Sequence, residues 1–262
     1  MTTVLCVPQW QGSASAKAPR LAEGARTAAA LVPADARVTV PVLEAGGENL
    51  TGTRALDVLV ENHRLTRAAH AAIDDAVITV GGDCGVDLAP IAAARARYGD
   101  RLTVLWIDAH PDLFTPATLP SGAFHGMVLR TLLGDGPAEL VPAEPLAPEQ
   151  VRYAGLRTGE PSEYEYLEKA GLRRHGVDDL EAVLDGLTGP VYAHIDLDVL
   201  DPSEFGSTCY PVPDGPSVAR LADLVSRVDG LVGAALTEHA PEAVPNDSEA
   251  EAIRTLAAAF RF

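Results

Sequence analysis

The stretch Leu102-Thr-Val-Leu-Trp-Ile-Asp-Ala-His-Pro-Asp112 decides the fold of this 262-residue chain. Its first six residues are apolar or β-branched, which is typical of a strand buried on both faces of a parallel sheet. Asp108, His110 and Asp112 follow at alternate positions, and alternate residues of an extended segment share one face. The sequence therefore predicts a buried strand whose carboxyl end directs two carboxylates and an imidazole toward one point. This donor set suits Mn²⁺, Fe²⁺ or Zn²⁺, although a capping and turn cluster is the alternative.

Similar short apolar runs recur along the chain, separated by alanine-rich amphipathic stretches. Strands are predicted at residues 3–7, 38–42, 76–82, 102–107, 151–156, 191–195 and 231–236. Helices are predicted at residues 19–31, 54–72, 86–98, 126–134, 162–170, 178–187, 217–228 and 248–260. This alternation predicts a single domain, residues 1–262, built as a three-layer α/β/α sandwich around a mainly parallel, doubly wound sheet.

Composition argues against several classes of protein. Apolar residues make up 47% of the chain, as in a globular protein with an aliphatic core. The formal net charge of −17 would repel phosphate backbones, which argues against nucleic-acid binding. No apolar run reaches the ~18 residues that a spanning helix needs, and the amino terminus lacks a basic and apolar leader. We therefore expect a cytoplasmic protein with no membrane role. Three scattered cysteines predict neither a disulfide framework nor a structural zinc site.

The strand predicted at 191–195 also ends in carboxylates. Asp196 and Asp198 share one face, and two like charges after a buried strand need a cation or a basic partner. His194 points to the same face as Asp196. We interpret His194 as a packed histidine, or as one that supports a ligand, and not as a ligand itself.

Two more strand ends carry polar residues. The strand predicted at 76–82 leads into Cys84, and its paired glycines permit a close approach of the backbone. Cys84 occupies a position where a metal ligand could stand, although a lone buried cysteine is usually a small hydrophobe. The strand predicted at 231–236 leads into Glu238, which could hold a cationic substrate or lie on the surface. Because ligands bind beyond the carboxyl ends of strands in such folds, these ends are the expected site.

Together, these motifs resemble those of the ureohydrolase (arginase/agmatinase) superfamily, whose metal motifs read GGDH, DAHxD and DxDxxDP. This chain reads GGDC at 81–84, DAHPD at 108–112 and DLDVLDP at 196–202, in the same order. The resemblance extends from about residue 81 to residue 238. It implies an arginase-like fold, hydrolysis of a small guanidino compound, and assembly as a homo-oligomer, either a trimer or a hexamer.

The resemblance also implies a pair of Mn²⁺ ions. In the family, these ions share bridging carboxylates and a hydroxide that attacks the guanidinium carbon, which yields urea and an amine. Carried over, Asp108 and Asp196 would bridge the ions, and His110 with Asp198 would complete one site. Asp112 would bind the other ion and orient the hydroxide.

Cys84 departs from the family pattern, which has a histidine ligand at this position. Either the cysteine ligates and alters the site, or it stays a thiol and the second ion is held weakly. A thiolate would add a negative charge to the ligand set, and thiolates favour softer metals than Mn²⁺. In this feature the chain resembles the Nω-hydroxyarginine amidinohydrolase branch of the family. The implied substrate is therefore arginine-like or Nω-hydroxyarginine-like, with urea or hydroxyurea as a product.

The segment that leads to His125 resembles the corresponding arginase segment in length and register. The resemblance implies that His125 shuttles a proton to the leaving amine, that Ser121 contacts the substrate carboxylate and that Glu238 pairs with the guanidinium. Phe114 stands where arginase has an asparagine that holds the α-carboxylate. Glu160 falls where arginase has an aspartate near the α-amino group. The resemblance therefore supports a guanidino substrate but not plain arginine.

Two other functions remain open at the level of sequence. A formiminoglutamase-like hydrolase would cleave a C–N bond of a formimino group, and Glu238 argues mildly against it. A metal-impaired relative could instead act as a binding or regulatory protein. Asp112, His125 and Glu238 argue against that alternative, since a binding protein does not need a proton shuttle.

Overall fold

The computed structural model describes residues 1–242 and 246–262, and its centre is one sheet of eight parallel strands. The strands are β1 (Thr2–Val7), β2 (Ala36–Thr39), β3 (Ala76–Gly81), β4 (Thr103–Ile107), β5 (Val151–Ala154), β6 (Arg173–His175), β7 (Val191–Asp196) and β8 (Leu231–Thr237). Their order across the sheet is β2-β1-β3-β8-β7-β4-β5-β6, and all neighbouring pairs are parallel. One sheet thus contains every described strand.

Helices cover both faces of this sheet. They are α1 (Arg20–Leu31), α2 (Leu56–Ala71), α3 (Leu88–Tyr98), α4 (Val128–Leu132), α5 (Pro161–Ala170), α6 (Val218–Ser226) and α7 (Asp247–Ala259). Helices α1, α6 and α7 pack on one face, and α2 to α5 pack on the other. The predicted three-layer α/β/α sandwich with a parallel, doubly wound sheet is therefore confirmed. Within the described residues, no helix is long and apolar enough to cross a bilayer.

Strand β4 shows why residues 104–107 of the stretch 102–112 are all apolar. Val104 and Trp106 are buried in the core that includes α2 to α5, whereas Leu105 and Ile107 are buried in the core that includes α1, α6 and α7. Successive side chains of a strand alternate between faces, so a central strand covered on both sides needs an unbroken apolar run. The same burial places the next residues of the chain at the carboxyl edge of the sheet.

Three sequence-based predictions of elements need correction. The helix expected at 178–187 is only the 3₁₀ turn Leu180–Leu184. Its buried Leu180 and Val183 are three positions apart, a spacing that fits a 3₁₀ turn as well as an α-helix. The charged strand β6 was not predicted. The strand predicted at 38–42 ends earlier, as β2, because Pro41 lacks the N–H that a strand would donate.

Candidate metal centre and active site

The four strands with polar carboxyl ends are neighbours in the middle of the sheet, in the order β3-β8-β7-β4. Their ends therefore meet at one edge, and the predicted ligand and catalytic residues come together there. All but the two histidines among them are at most 6% exposed. The residues in question are Cys84, Asp108, His110, Asp112, His125, Asp196, Asp198 and Glu238.

The turn after β3 is built around the buried Asp83. Its carboxylate accepts hydrogen bonds from the backbone N–H of Gly12 (2.8 Å) and of Gly85 (2.9 Å) and from the Gln9 amide (2.9 Å). A Cβ on Gly82 would lie 1.8 Å from the Gln9 carbonyl oxygen, so this close approach requires glycine. Burial, and then the nearby Glu238, raise the pKa of Asp83 to about 6. The turn holds the adjacent Cys84 at the edge of the sheet.

One group of possible metal ligands combines Asp108, His110 and Asp198. The His110 Nδ1 atom lies 3.1 Å from Asp198 Oδ2 and 3.6 Å from Asp108 Oδ1. Burial alone would lower the pKa of His110, but the two carboxylates outweigh it and raise that pKa. Oxygen and imidazole ligands of this kind suit Mn²⁺ and other divalent ions of the first transition row.

A second group combines Cys84, Asp196 and Glu238. The thiol of Cys84 donates a hydrogen bond to Asp196 Oδ2 (3.1 Å), and its backbone N–H donates to Glu238 Oε1 (3.0 Å). Burial, followed by the charge of Asp196, raises the pKa of the Cys84 thiol well above its usual value. Burial and the neighbouring Asp198 likewise raise the pKa of Asp196. The repulsion behind these shifts would be relieved by a cation.

Unpartnered oxygen atoms show that this cluster fits a bound cation. Asp112 Oδ2, Asp198 Oδ1 and Glu238 Oε2 are buried and have no hydrogen-bond partner among the described residues. Nor does any lysine or arginine in residues 1–242 and 246–262 form an ion pair with these carboxylates; Asp198 pairs with His110, and Glu238 pairs with His125. Buried carboxylates need a compensating charge, and the acceptor atoms left open here are those that a divalent ion prefers.

Two site residues adopt a backbone conformation that is unusual outside glycine. Asp112 has a φ of 53° and Glu238 a φ of 67°, both in the left-handed region. Such conformations cost about 1–3 kcal/mol each and are enriched at functional sites, where the surrounding structure enforces them. Here they place two carboxylates beside the ligand groups.

A cavity of about 180 Å³ opens beside the carboxylates. His125 lines it, and its Nδ1 atom lies 3.2 Å from Glu238 Oε1. Burial alone would lower the pKa of His125, but Glu238 and Asp83 raise it above the usual value. The ring of Tyr210 packs against His125 with centroids 5.2 Å apart. The cavity therefore has a protonatable imidazole next to the candidate metal ligands.

The residues predicted to bind the substrate's tail are only partly at this cavity. Phe114 and Ser121 line it, whereas Glu160 is exposed and precedes α5. Glu163 lines the cavity instead; it is 2% exposed and accepts hydrogen bonds from the backbone N–H of Leu113 and of Glu160, both at 3.0 Å. Glu163 and Tyr210 were missed from the sequence. The spacing of Glu160 and Glu163 at a helix start is the signal that was available for Glu163.

His194 is fully buried and stacks on Trp106 with ring centroids 3.7 Å apart. Its Nδ1 atom lies 2.8 Å from Asp87 Oδ2. Nothing in the sequence connects residues 107 positions apart, so this pair could not be predicted. The expectation that His194 packs or supports a ligand is compatible with this placement.

Comparisons with known proteins converge on one family. A model of the arginase family matches residues 21–261. The chain is 30% identical over 234 residues to the arginase of Neurospora crassa, covering 79% of this chain and 65% of that protein. It is 34% identical over 177 residues to the arginase of Bacillus subtilis, covering 61% and 60%. A crystal structure of Entamoeba histolytica arginase with L-ornithine has a TM-score of 0.87 at 23% identity, over 98% of this chain and 97% of that one. The chain thus matches less than two thirds of these two curated relatives.

Proposed function

The chain belongs to the arginase family, and from this premise we propose that it is a metal-dependent amidinohydrolase. It would hydrolyse the C–N bond of an arginine-like or Nω-hydroxyarginine-like guanidine and release urea or hydroxyurea together with an amine. The observation that carries this proposal is the buried carboxylate cluster with unpartnered oxygens at four adjacent strand ends. A cavity lined by His125 opens directly onto this cluster.

We assign Mn²⁺ to the group formed by Asp108, His110 and Asp198, whose ligand atoms are all hard oxygen or imidazole nitrogen. A second ion would lie on the side of Asp112, Asp196 and Cys84. When bound, such a pair of ions lowers the pKa of water enough to supply a nucleophile near neutral pH.

His125 is the proposed proton carrier. It lines the cavity, and its contact with Glu238 Oε1 stabilises the charged form of the imidazole. A histidine with a raised pKa holds its proton near neutral pH and can deliver it to a leaving amine nitrogen. Tyr210, which also lines the cavity, packs against the His125 ring and so restricts its movement.

Glu238 is the proposed partner of the substrate's guanidinium group. Its Oε1 atom is engaged by Cys84 and His125, but its Oε2 atom is buried and has no hydrogen-bond partner among the described residues. A carboxylate oxygen held in this way can accept from a planar cation. Among the residues that line the cavity, Phe114 offers an apolar side chain and Ser121 a hydroxyl. The cavity therefore suits a guanidine whose tail differs from that of arginine.

The test is hydrolysis by the full-length protein after loading with Mn²⁺. The substrates are arginine, Nω-hydroxyarginine, agmatine and formiminoglutamate, and the products are urea, hydroxyurea, amine and ammonia. We expect urea or hydroxyurea from at least one guanidine, and loss of that activity in Glu238→Gln. The control is Glu249→Gln, since Glu249 is also buried but accepts from the backbone N–H of Gly206 and Ser207 away from the cavity.

Other outcomes would redirect the proposal. Hydrolysis of formiminoglutamate alone would favour the formiminoglutamase-like alternative. Stable metal binding with no hydrolysis of any substrate would favour a binding or regulatory role. Assembly into a trimer or hexamer stays a prediction from the family resemblance, and sedimentation equilibrium would measure it.

A further inference from the structure

One ring nitrogen of His194 has no role in the site described so far. The side chain is 0% exposed, and its Nε2 atom has no hydrogen-bond partner among the described residues. Its other nitrogen, Nδ1, faces Asp87 Oδ2 at 2.8 Å. A buried imidazole nitrogen without a partner is unfavourable and calls for a ligand.

The neighbours of His194 provide two further donor atoms. The Cys84 sulfur, a carboxylate oxygen of Asp108 and a ring nitrogen of His194 all lie within 4.8 Å of one another. These three residues come from the ends of β3 and β4 and from within β7, and each is at most 1% exposed. The three donors therefore surround a point that one ion could occupy.

The contact with Asp87 is what a metal-binding histidine requires. Histidines that ligate metals almost always donate their other ring N–H to a carboxylate or carbonyl, which fixes the tautomer and orients the ring. Asp87 is itself held by the hydroxyl of Tyr192, which donates to Asp87 Oδ1. With its proton on Nδ1, His194 keeps Nε2 as a free acceptor in a cluster whose ligand atoms include the Cys84 sulfur and an Asp108 oxygen.

We propose that Cys84, Asp108 and His194 bind one divalent cation through sulfur, oxygen and nitrogen, and that this site takes Zn²⁺ in preference to Mn²⁺. This cation would be the second ion of the proposed centre, on the side of Cys84, with His194 as an additional ligand. His194 replaces the imidazole that is missing from the sequence at Cys84, but it comes from a different strand. Thiolate together with imidazole is a typical donor set for Zn²⁺, whereas Mn²⁺ prefers oxygen. Because Asp108 also belongs to the group with His110 and Asp198, the two ions would be neighbours of different kinds.

This inference deepens the proposed function, since it concerns the same centre, but it is tested through metal–ligand bonds and not through turnover. The full-length protein is stripped of metal and loaded with one equivalent of Co²⁺ or Zn²⁺. We expect a sulfur-to-cobalt charge-transfer band and, at the zinc edge, one sulfur at about 2.3 Å. Competition with a chelator should show tighter binding of Zn²⁺ than of Mn²⁺ at this site.

Variants assign each donor. Cys84→Ser should abolish the charge-transfer band, and His194→Gln should shift the band and weaken Zn²⁺ binding. Asp87→Asn removes only the supporting carboxylate and should weaken Zn²⁺ binding by about 10- to 100-fold. The matched control is His175→Gln, because His175 Nδ1 also lies 2.8 Å from a carboxylate, that of Asp179, but outside the site. It should leave the spectrum and the affinity unchanged.

Several results would overturn the inference. A zinc edge without sulfur would exclude Cys84 as a ligand, and an unchanged band and affinity in His194→Gln would show that His194 only packs. If His194→Gln fails to fold, an unchanged zinc affinity in Asp87→Asn would decide against the site. Metal bound as proposed without hydrolysis of any guanidine would overturn the proposed function alone, and hydrolysis without a metal–sulfur bond would overturn this inference alone.

Discussion

The thiol of Cys84 donates a hydrogen bond to Asp196 Oδ2 across 3.1 Å, although the two residues are 112 positions apart. This contact crosses β8, which separates β3 from β7 in the sheet. Burial and the charge of Asp196 keep the thiol protonated in the absence of a cation. An ion bound by Cys84, as proposed, would have to displace that proton, and residue 84 would then set both the charge and the softness of the ligand set.

Cys84→His should therefore change which metal and which substrate the protein prefers. A neutral imidazole suits Mn²⁺ better than a thiolate, so more Mn²⁺ should be bound at saturation. A less anionic ligand set stabilises hydroxide better, which should lower the pKa of the acidic limb of the pH–rate profile. The substrate preference of the protein should shift from Nω-hydroxyarginine toward arginine. Elemental analysis and pH–rate curves for both compounds measure these effects, with Cys6→Ala as the control.

Asp196→Asn should remove most of the bound metal and the hydrolytic activity. The amide cannot supply the negative charge that holds the ions, but it keeps the shape of the side chain. Stability of the metal-free protein should not fall, because burial and Asp198 already disfavour the charged form of Asp196. The control is Asp201→Asn in the same motif, whose carboxylate accepts from the backbone N–H of Ser203 and Asp214. Undiminished metal content in Asp196→Asn would contradict the assignment.

Phe114→Asn should raise the kcat/KM for arginine relative to that for other guanidines. Phe114 forms an apolar wall of the cavity, and an amide there could donate a hydrogen bond to a substrate carboxylate. One added hydrogen bond is worth about 0.5–1.5 kcal/mol, so the ratio of kcat/KM values should change about two- to tenfold. Phe114→Leu keeps the wall apolar and should leave the ratio unchanged. The same ratio in all three proteins would mean that residue 114 does not contact the substrate's tail.

The central strands of the fold were predictable because they depend on patterns within short stretches of sequence. Strand β4 must be apolar on both faces, and the alternation after it places Asp108, His110 and Asp112 on one side. The strand ends predicted to carry ligands belong to the four central strands of the sheet. Because ligands bind beyond the carboxyl ends of such strands, Asp196 and Glu238 could also be predicted to lie at the site.

The parts that escaped prediction depend on packing between distant segments. Strand β6 is short, charged and at the edge of the sheet, so it lacks the apolar run that marks the inner strands. Glu163 on α5 lines the cavity, and its carboxylate accepts a hydrogen bond from the backbone N–H of Leu113, which is 50 positions away in the sequence. The pairing of His194 with Asp87 likewise exists only once β7 lies over the start of α3.

A separate histidine, His63 on α2, lies outside the site and should govern stability in mild acid. Burial, and then the positive charge of Arg67, lower its pKa from 6.5 to about 4. The unfolded chain therefore binds a proton at His63 between these two pH values, while the folded protein does not. The contribution of His63 to the free energy of unfolding is fully present above pH 6.5 and is lost as the pH drops toward 4, because the unfolded state takes up more protons at His63 in this window.

His63→Gln should remove this pH dependence, so the unfolding free energy of the wild type should fall relative to that of the variant as the pH drops from 6.5 to about 4. Arg67→Gln keeps the burial but removes the adjacent charge. Arg67→Gln should raise the pKa of His63 in the folded protein, so the pH range over which stability is lost should end at a higher pH. Urea denaturation at a series of pH values measures all three proteins, and taking differences at each pH cancels contributions from metal sites. Parallel curves for wild type and His63→Gln would show that His63 titrates alike in the folded and unfolded states and would contradict the prediction.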